Sequence, residues 1–283
     1  MQTPQDIFLK SLLSPYPPKA GPLIVTIYGD IVEPRGGSLW VGDLITLCGE
    51  FGVNESLVRT AVSRLVSRDQ LQGEREGRRS YYSLTPSARS DFHAAADRIF
   101  GPPDSECLLL MVIQPDKTAQ DRLIEQGFGA VGDSLFLGVD RPGRTATGAL
   151  FRAVPHHGRD SDTQALLNRA FDLARLAQAY KDFIQRFEAL NAKNVEGLQA
   201  LTLRLGIVHA YRAIRLKDPQ LPASVLPEDW PGHPARSLFA KTYLQLSETA
   251  DPYIGDTLQG RSALLAAHPD ALDVRFTALR QLA

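Results

Sequence analysis

Apolar positions follow three successive regimes along this chain, and each predicts a different kind of element. Through the first hundred residues they form short segments cut by turn formers. Pro15, Pro17 and Pro18 break a first helix, and a second apolar segment, 22–32, runs into Glu33-Pro34-Arg35-Gly36-Gly37, a cluster of the residues that punctuate helices. A third helix is predicted over 41–50, stopping before Gly52. Asn54 then stands where an N-cap is needed, because its side chain can accept a bond from a first-turn amide, and a fourth helix follows over 55–67. Two short runs, 70–74 and 79–84, joined by Glu76-Gly77-Arg78, read as a hairpin.

The period changes after residue 104. Cys107-Leu-Leu-Leu-Met-Val-Ile113 is a continuous apolar run of strand length, typical of a strand buried on both faces. Helical spacing around 118–126 and further apolar runs at 134–139 and 149–154 predict a small βαβ-containing domain. From Asp162 onward the 3.6-residue period dominates. Phe171, Leu173, Leu176, Tyr180, Phe183, Ile184 and Phe187 form one stripe, and Leu198, Leu201, Leu205, Val208, Tyr211 and Ile214 another. Prolines at 219, 222, 227, 231 and 234 mark a loop before helices expected over 235–250 and 252–267.

Composition narrows the class without naming a function. The chain has 283 residues, 43% hydrophobic and 22% charged, with a formal net charge of -1, an ordinary globular balance. Cys48 and Cys107 lie in apolar stretches, which excludes a disulfide framework and fits a reducing compartment. There is no basic segment ahead of an apolar run at the N-terminus and no apolar run near membrane-spanning length, so a soluble, cytoplasmic protein is expected.

Charge becomes informative only when resolved along the chain. Residues 54–89 hold seven arginines, no lysine and four acids, a net of +3, so the remainder totals -4. The same window sits in a helix, glycine turn, capped helix and hairpin, the spacing of a winged helix-turn-helix. On helix 55–67, Leu57, Val58, Ala61, Val62, Leu65 and Val66 are expected to pack inward. Ser56, Arg59, Thr60, Ser63 and Arg64 are expected to face DNA, since small hydroxyls permit close approach and arginine can bind guanine or phosphate with two hydrogen bonds. Arg75, Arg78 and Arg79 surround the hairpin turn, where they would reach backbone phosphates or the minor groove.

The ordered strings Ile24-Val-Thr-Ile-Tyr-Gly-Asp30, Pro34-Arg-Gly-Gly37, Leu57-Val-Arg-Thr60, Arg64-Leu65, Gly77-Arg-Arg-Ser-Tyr-Tyr82, Asp218-Pro-Gln-Leu-Pro222 and Leu226-Pro-Glu-Asp-Trp-Pro-Gly232 resemble the PaaX family of transcriptional repressors across nearly the whole chain. The resemblance implies an α+β multidomain protein. Its parts would be an N-terminal winged helix at 1–98, a Cas2-like, ferredoxin-like middle domain at 104–160 and an α-helical effector and dimerisation domain at 162–283. It further implies a homodimer that represses phenylacetic acid or related aromatic catabolism and leaves double-stranded operator DNA on binding an aryl-acyl-CoA such as phenylacetyl-CoA.

Other motifs have competing explanations. His209, Arg212 and Arg215 occupy neighbouring helical positions and could meet an acyl-CoA phosphate, with Tyr211 or Trp230 beside the aryl group; equally, the arginines could anchor the proline-rich loop. Gly127-Phe-Gly-Ala-Val-Gly132 matches a dinucleotide fingerprint by letter but follows a helix and precedes a strand, the reverse of the required order, so Gly127 is expected to end that helix. His156-His157 with Asp160 and Asp162 reads as a solvated loop and not a metal site. The strand at 107–113 carries no carboxylate, and Asp116 beside Pro115 reads as a turn, so no catalytic residue, metal or cofactor is expected. The rival class is an enzyme, a metal-dependent nuclease on the middle domain or an acyl-CoA hydrolase on the helical one.

Overall fold

A computed structural model of the chain describes residues 9–101, 109–141, 146, 148–153, 161–190, 192 and 195–283. It is α+β, mostly helical, with two small antiparallel sheets. Two compact units are formed. One gathers Met1–Pro102, Phe183–Ala213 and Arg236–Ala283, the other Pro103–Asp182 and Ile214–Ala235. Among the described residues no helix is long and apolar enough to cross a membrane.

In the first unit, α1 (Ala20–Ile27) continues through a π-helical turn over Tyr28–Val32 and a short 3-10 turn, and stops at Gly36, whose φ is 97°. Strand β1 (Ser38–Trp40), α2 (Val41–Gly49), α3 (Glu55–Ser67), the hairpin β2 (Leu71–Glu76) and β3 (Arg79–Leu84), and α4 (Pro86–Phe100) follow. The sheet order is β1-β3-β2, with Ser38 opposite Ser83 and Glu76 opposite Arg79. Gly77, at φ 59°, is the first of two loop residues, which suits a turn of the II′ kind. Thr85 caps α4 by accepting the Ala88 N–H. Its hydroxyl donates to the Asp69 carbonyl at 2.5 Å, tying the end of α3 to the start of α4.

Residues of two longer helices meet α1 and the turn that follows it within this unit. The helix α8 (Gly197–Arg215) is buried on every face from Ala200 to Tyr211. It therefore belongs to the core over that stretch, where one apolar stripe was expected on an amphipathic helix. At its middle Arg204 is wholly buried. Its Nε donates to Asp30 at 3.1 Å and its Nη1 to Asp251 at 2.5 Å. Arg35 donates to the same Asp251 oxygen at 2.6 Å, and Arg275 and the Tyr243 hydroxyl donate to Asp30 at 3.3 Å and 2.8 Å. Burial alone would push the Asp30 carboxyl up, but Arg204, Arg275 and Arg35 outweigh it and hold it below the usual carboxylate range.

The helix α9 (Gly232–Thr257) contains Pro252, so the expected break there is not a break. Proline removes one backbone bond, while its neighbour Asp251 is fixed by two arginines. Residues 258–267, expected to be helical, form a loop with one bridge between Gln259 and Leu264; the last helix is α10 (Asp273–Arg280).

The second unit carries the sheet β5-β6-β4-β7, built from β4 (Leu109–Ile113), β5 (Gly129–Ala130), β6 (Leu135–Val139) and β7 (Ala149–Ala153), every pair antiparallel. Because β6 lies between β4 and β5, those two run parallel without pairing. The helix α5 (Lys117–Glu125) joins them as a split βαβ unit. Asp116 caps α5 by accepting the Ala119 N–H at 2.7 Å. Gly127, φ 80°, ends it, with the Gly127 and Phe128 amides donating to Ile124 and Leu123, a Schellman closure. The sheet packs Leu110, Val112 and Phe136 on Leu123 and Phe128. Edge strand β7, by contrast, is exposed along most of its length. Asp172, at φ 47°, divides the first predicted C-terminal stripe into α6 (Ser161–Phe171) and α7 (Leu173–Phe187). Cys107, His156, His157 and Asp160 lie outside the described residues.

Candidate nucleic-acid interface

Four residues with helical spacing, Val58, Ala61, Val62 and Leu65, form the buried face of α3. Asn54 starts the helix as expected, its Oδ1 accepting the Leu57 N–H at 3.0 Å. Leu57 and Val66 do not pack inward but are 54% and 41% exposed. A helix lying on one layer can bury only about a third of its circumference, and six inward positions exceed that.

Ser56, Arg59, Thr60, Ser63 and Arg64 are all exposed on α3. The structure brings Arg59 and Ser63 together with Arg75 of β2. They line a groove of about 440 Å³ with Val62, Ser80 and Tyr82. The Tyr82 ring lies against Gly73, its cross-strand partner, where a Cβ would come within 2.7 Å of that ring. Arg59 donates to Glu55 at 2.7 Å between two well-exposed side chains, a pair worth little in water and readily exchanged for a phosphate. Arg75 Nε donates to the Gly77 carbonyl at 3.2 Å, and Arg78 stands exposed at the turn.

Arg79 is already engaged. Its guanidinium lies 5.0 Å from the Trp40 ring centroid and donates to Gln259 at 2.5 Å. That contact belongs to a brace from the C-terminal loop, which no sequence pattern foreshadowed. The Trp40 N–H donates to the Gln259 carbonyl, the Gln259 N–H to Asp43, the Arg261 N–H to Ser38, and the Arg261 side chain pairs with Glu74. The hairpin is thereby fixed to β1 and α2 by residues nearly two hundred positions away.

The second candidate set falls into two places. In the first unit, the His209 ring lies 3.0 Å from the Thr26 hydroxyl, and burial together with the Arg212 charge pushes its pKa down to about 4. Tyr211 has no exposed surface and stacks on Phe239 at 4.2 Å, whereas Arg212 lines a cavity. In the second unit, Arg215 donates to Asp218 at 3.2 Å, Tyr180 donates to the same oxygen at 2.6 Å, and Trp230 packs edge-on against Tyr180. Asp218 also accepts the Gln220 N–H, so this cluster secures the beginning of the proline-rich loop. Among the described residues no group of three or more His, Cys, Asp or Glu could hold a metal ion.

Comparison with known proteins gives matches to two family models, PaaX-like protein over residues 19–88 and PaaX-like protein C-terminal domain over residues 171–256. The Transcriptional repressor PaaX of Escherichia coli (strain K12) is 30% identical over 277 residues, 89% of this chain and 88% of that relative. The chain belongs to the PaaX family. The first PaaX match runs from the start of α1 into the first turn of α4 and so contains the entire groove and hairpin. The second contains Arg204 and Asp251. Between them the two matches hold Asp30, Arg35, Arg204 and Asp251, four members of the buried charge cluster.

Proposed function

We propose that this PaaX-family protein is a transcriptional repressor of an operon for phenylacetate or a related aromatic acid, acting in the cytoplasm on double-stranded operator DNA. The observation that carries the reading is the exposed, arginine-bearing face of α3 joined through one groove to the β2–β3 hairpin. Read as a winged helix-turn-helix, α2 and α3 form the helical pair and the hairpin is the wing. Ser56, Arg59, Thr60, Ser63 and Arg64 then meet base edges in the major groove, while Arg75 and Arg78 hold the flanking backbone and Arg79 joins them only by exchanging its Gln259 contact for a phosphate.

The β5-β6-β4-β7 order with its split βαβ unit supports a ferredoxin-like reading of the middle segment at 104–160, and the helices at 162–283 would then serve effector binding and dimerisation. A homodimer places two recognition helices one helical turn of DNA apart, or a multiple of it. An aryl-acyl-CoA releases DNA only if it binds better to an arrangement that breaks this spacing. The relative's name, a transcriptional repressor, favours this reading over a nuclease or acyl-CoA hydrolase.

The test is anisotropy of labelled DNA from the promoter beside the gene, titrated with the full-length protein and then with phenylacetyl-CoA. Tight, sequence-selective binding at a stoichiometry of two chains per site, reversed by the thioester, is expected. Binding no tighter than to scrambled DNA overturns the assignment.

A further inference from the structure

A cavity of about 240 Å³ lies within the first unit between α1, α4 and α8. Its wall takes Val25 and Thr26 from α1, Phe92 and Ile99 from α4, and Val208 and Arg212 from α8. The lining is thus apolar apart from a few groups, of which Arg212 is the cation. Burial pulls the Arg212 pKa down. Asp91 also lines the wall, yet no ion pair joins them, and the neighbouring His209 is uncharged near neutral pH. A partly buried guanidinium without a carboxylate is a costly arrangement that an incoming oxygen ligand relieves. Asp30 borders the same space, but its charge is already met by Arg204 and Arg275.

The cavity also touches the joint of the DNA-facing elements. Gln70, on its wall, stands between α3 and β2. The Gln70 N–H donates to the Leu65 carbonyl of α3 at 2.9 Å, and its carbonyl accepts the Thr85 N–H at the start of α4 at 3.2 Å. On the other flank of α4 lies a second cavity, about 340 Å³, that shares Gly29, Phe92, Ala96 and Phe100 with the first. The middle of α4, at Phe92 and Ala96, is bordered by space on both sides and has room to shift, while its ends are held by the Thr85 cap and by the buried Ile99 and Phe100.

We propose that this cavity is a ligand site for a compact apolar acyl group whose carbonyl or carboxylate oxygen meets the Arg212 guanidinium, and that occupancy acts on α3 and the hairpin through Gln70 and α4. A dry cavity of about 150 Å³ accommodates benzene, so this one suits a single ring with a short chain. A nucleotide-bearing carrier exceeds it and would remain outside. Binding stands on the cavity alone; the effect on DNA rests on the repressor reading above.

Calorimetric titration of the full-length protein with phenylacetate, phenylacetyl-CoA and coenzyme A tests the site without DNA. The variants are Arg212→Gln and Ala95→Leu, the second extending a side chain from α4 into the space. Saturable binding of an acyl probe is expected, weakened about tenfold or more by each variant, with circular dichroism and ligand-free melting unchanged. Response to the thioester only assigns the acyl end of a carrier; response to phenylacetate as well assigns the free acid. Failure of both acyl probes, equal binding of coenzyme A, or wild-type affinity in folded variants overturns the site. Should Ala95→Leu melt early, Arg212→Gln decides alone. Acyl binding by a protein that does not select operator DNA would instead refute the repressor reading and leave the site standing.

Discussion

Asp30 and Arg204, 174 positions apart, form a fully buried ion pair at 3.1 Å that joins the π-helical turn after α1 to the centre of α8. Removing one member of such a pair leaves an uncompensated charge in the core, at a cost on the order of 3–5 kcal/mol. Asp30→Asn should therefore lower unfolding free energy in urea by about that amount. A change within about 0.5 kcal/mol, the range of ordinary surface substitutions, would show that the cluster does not hold the unit together.

Two groups in this unit that titrate in the acid range, His209 and Asp30, bind protons less readily when folded, so stability should fall with acidity in two separate windows. His209 drops from 6.5 to about 4 through burial and the Arg212 charge. Its contribution is complete above about pH 6.5 and is lost as pH falls from there toward 4. The Asp30 carboxyl is depressed, so its contribution is complete above 3.8 and is lost below that, toward its folded value. Urea midpoints at a series of pH values should show His209→Gln flattening the upper window and Asp30→Asn the lower one.

Arg59 and Arg78 separate sequence reading from backbone attraction. Arg59→Ala should cost about 1–3 kcal/mol of operator affinity and relax base preference at one position. Arg78→Ala should weaken all sequences alike and reduce the salt slope by about one. Both side chains are exposed, so melting temperatures should hold. Anisotropy across salt concentrations on operator and mutated sites distinguishes the two outcomes.

Asn54 tests whether the α3 terminus is set locally. Asn54→Ala leaves the Leu57 amide without its 3.0 Å acceptor and should cost about 1 kcal/mol. Asn54→Ser should restore most of it, as measured by thermal denaturation of the two variants side by side.

Local grammar made much of α3, the hairpin and the end of α5 legible. The Asn54 cap, the Gly77 turn, the exposed hydroxyls and arginines of α3, and the Gly127 stop all depend on residues within a few positions of one another. The inward set on α3 was drawn too wide, because Leu57 and Val66 are apolar by type while only one layer covers the helix. Pro252 misled in the opposite way: a helix breaker by local preference, it is retained inside α9 beside an aspartate held by two arginines. A signal for the buried cluster did exist. Arg204 interrupts a run that is otherwise almost wholly apolar from 200 to 211, and a charge at a core-facing helical position calls for a partner.

Sequence alone, then, determined where the α3 helix begins, which of its faces is polar, where the hairpin turns, and the family to which these strings belong, since each follows from side chains adjacent in the chain. Tertiary structure alone decided that α8 is buried on every face from Ala200 to Tyr211, that Asp30, Arg35, Arg204, Asp251 and Arg275 share one buried network, that Gln259 braces Arg79 and the hairpin, and that Arg212 opens onto a cavity beside Gln70. Those pairings span up to 245 positions. The buried network arises because burying a charge is tolerable only where folding delivers its partner, a condition that no local period encodes.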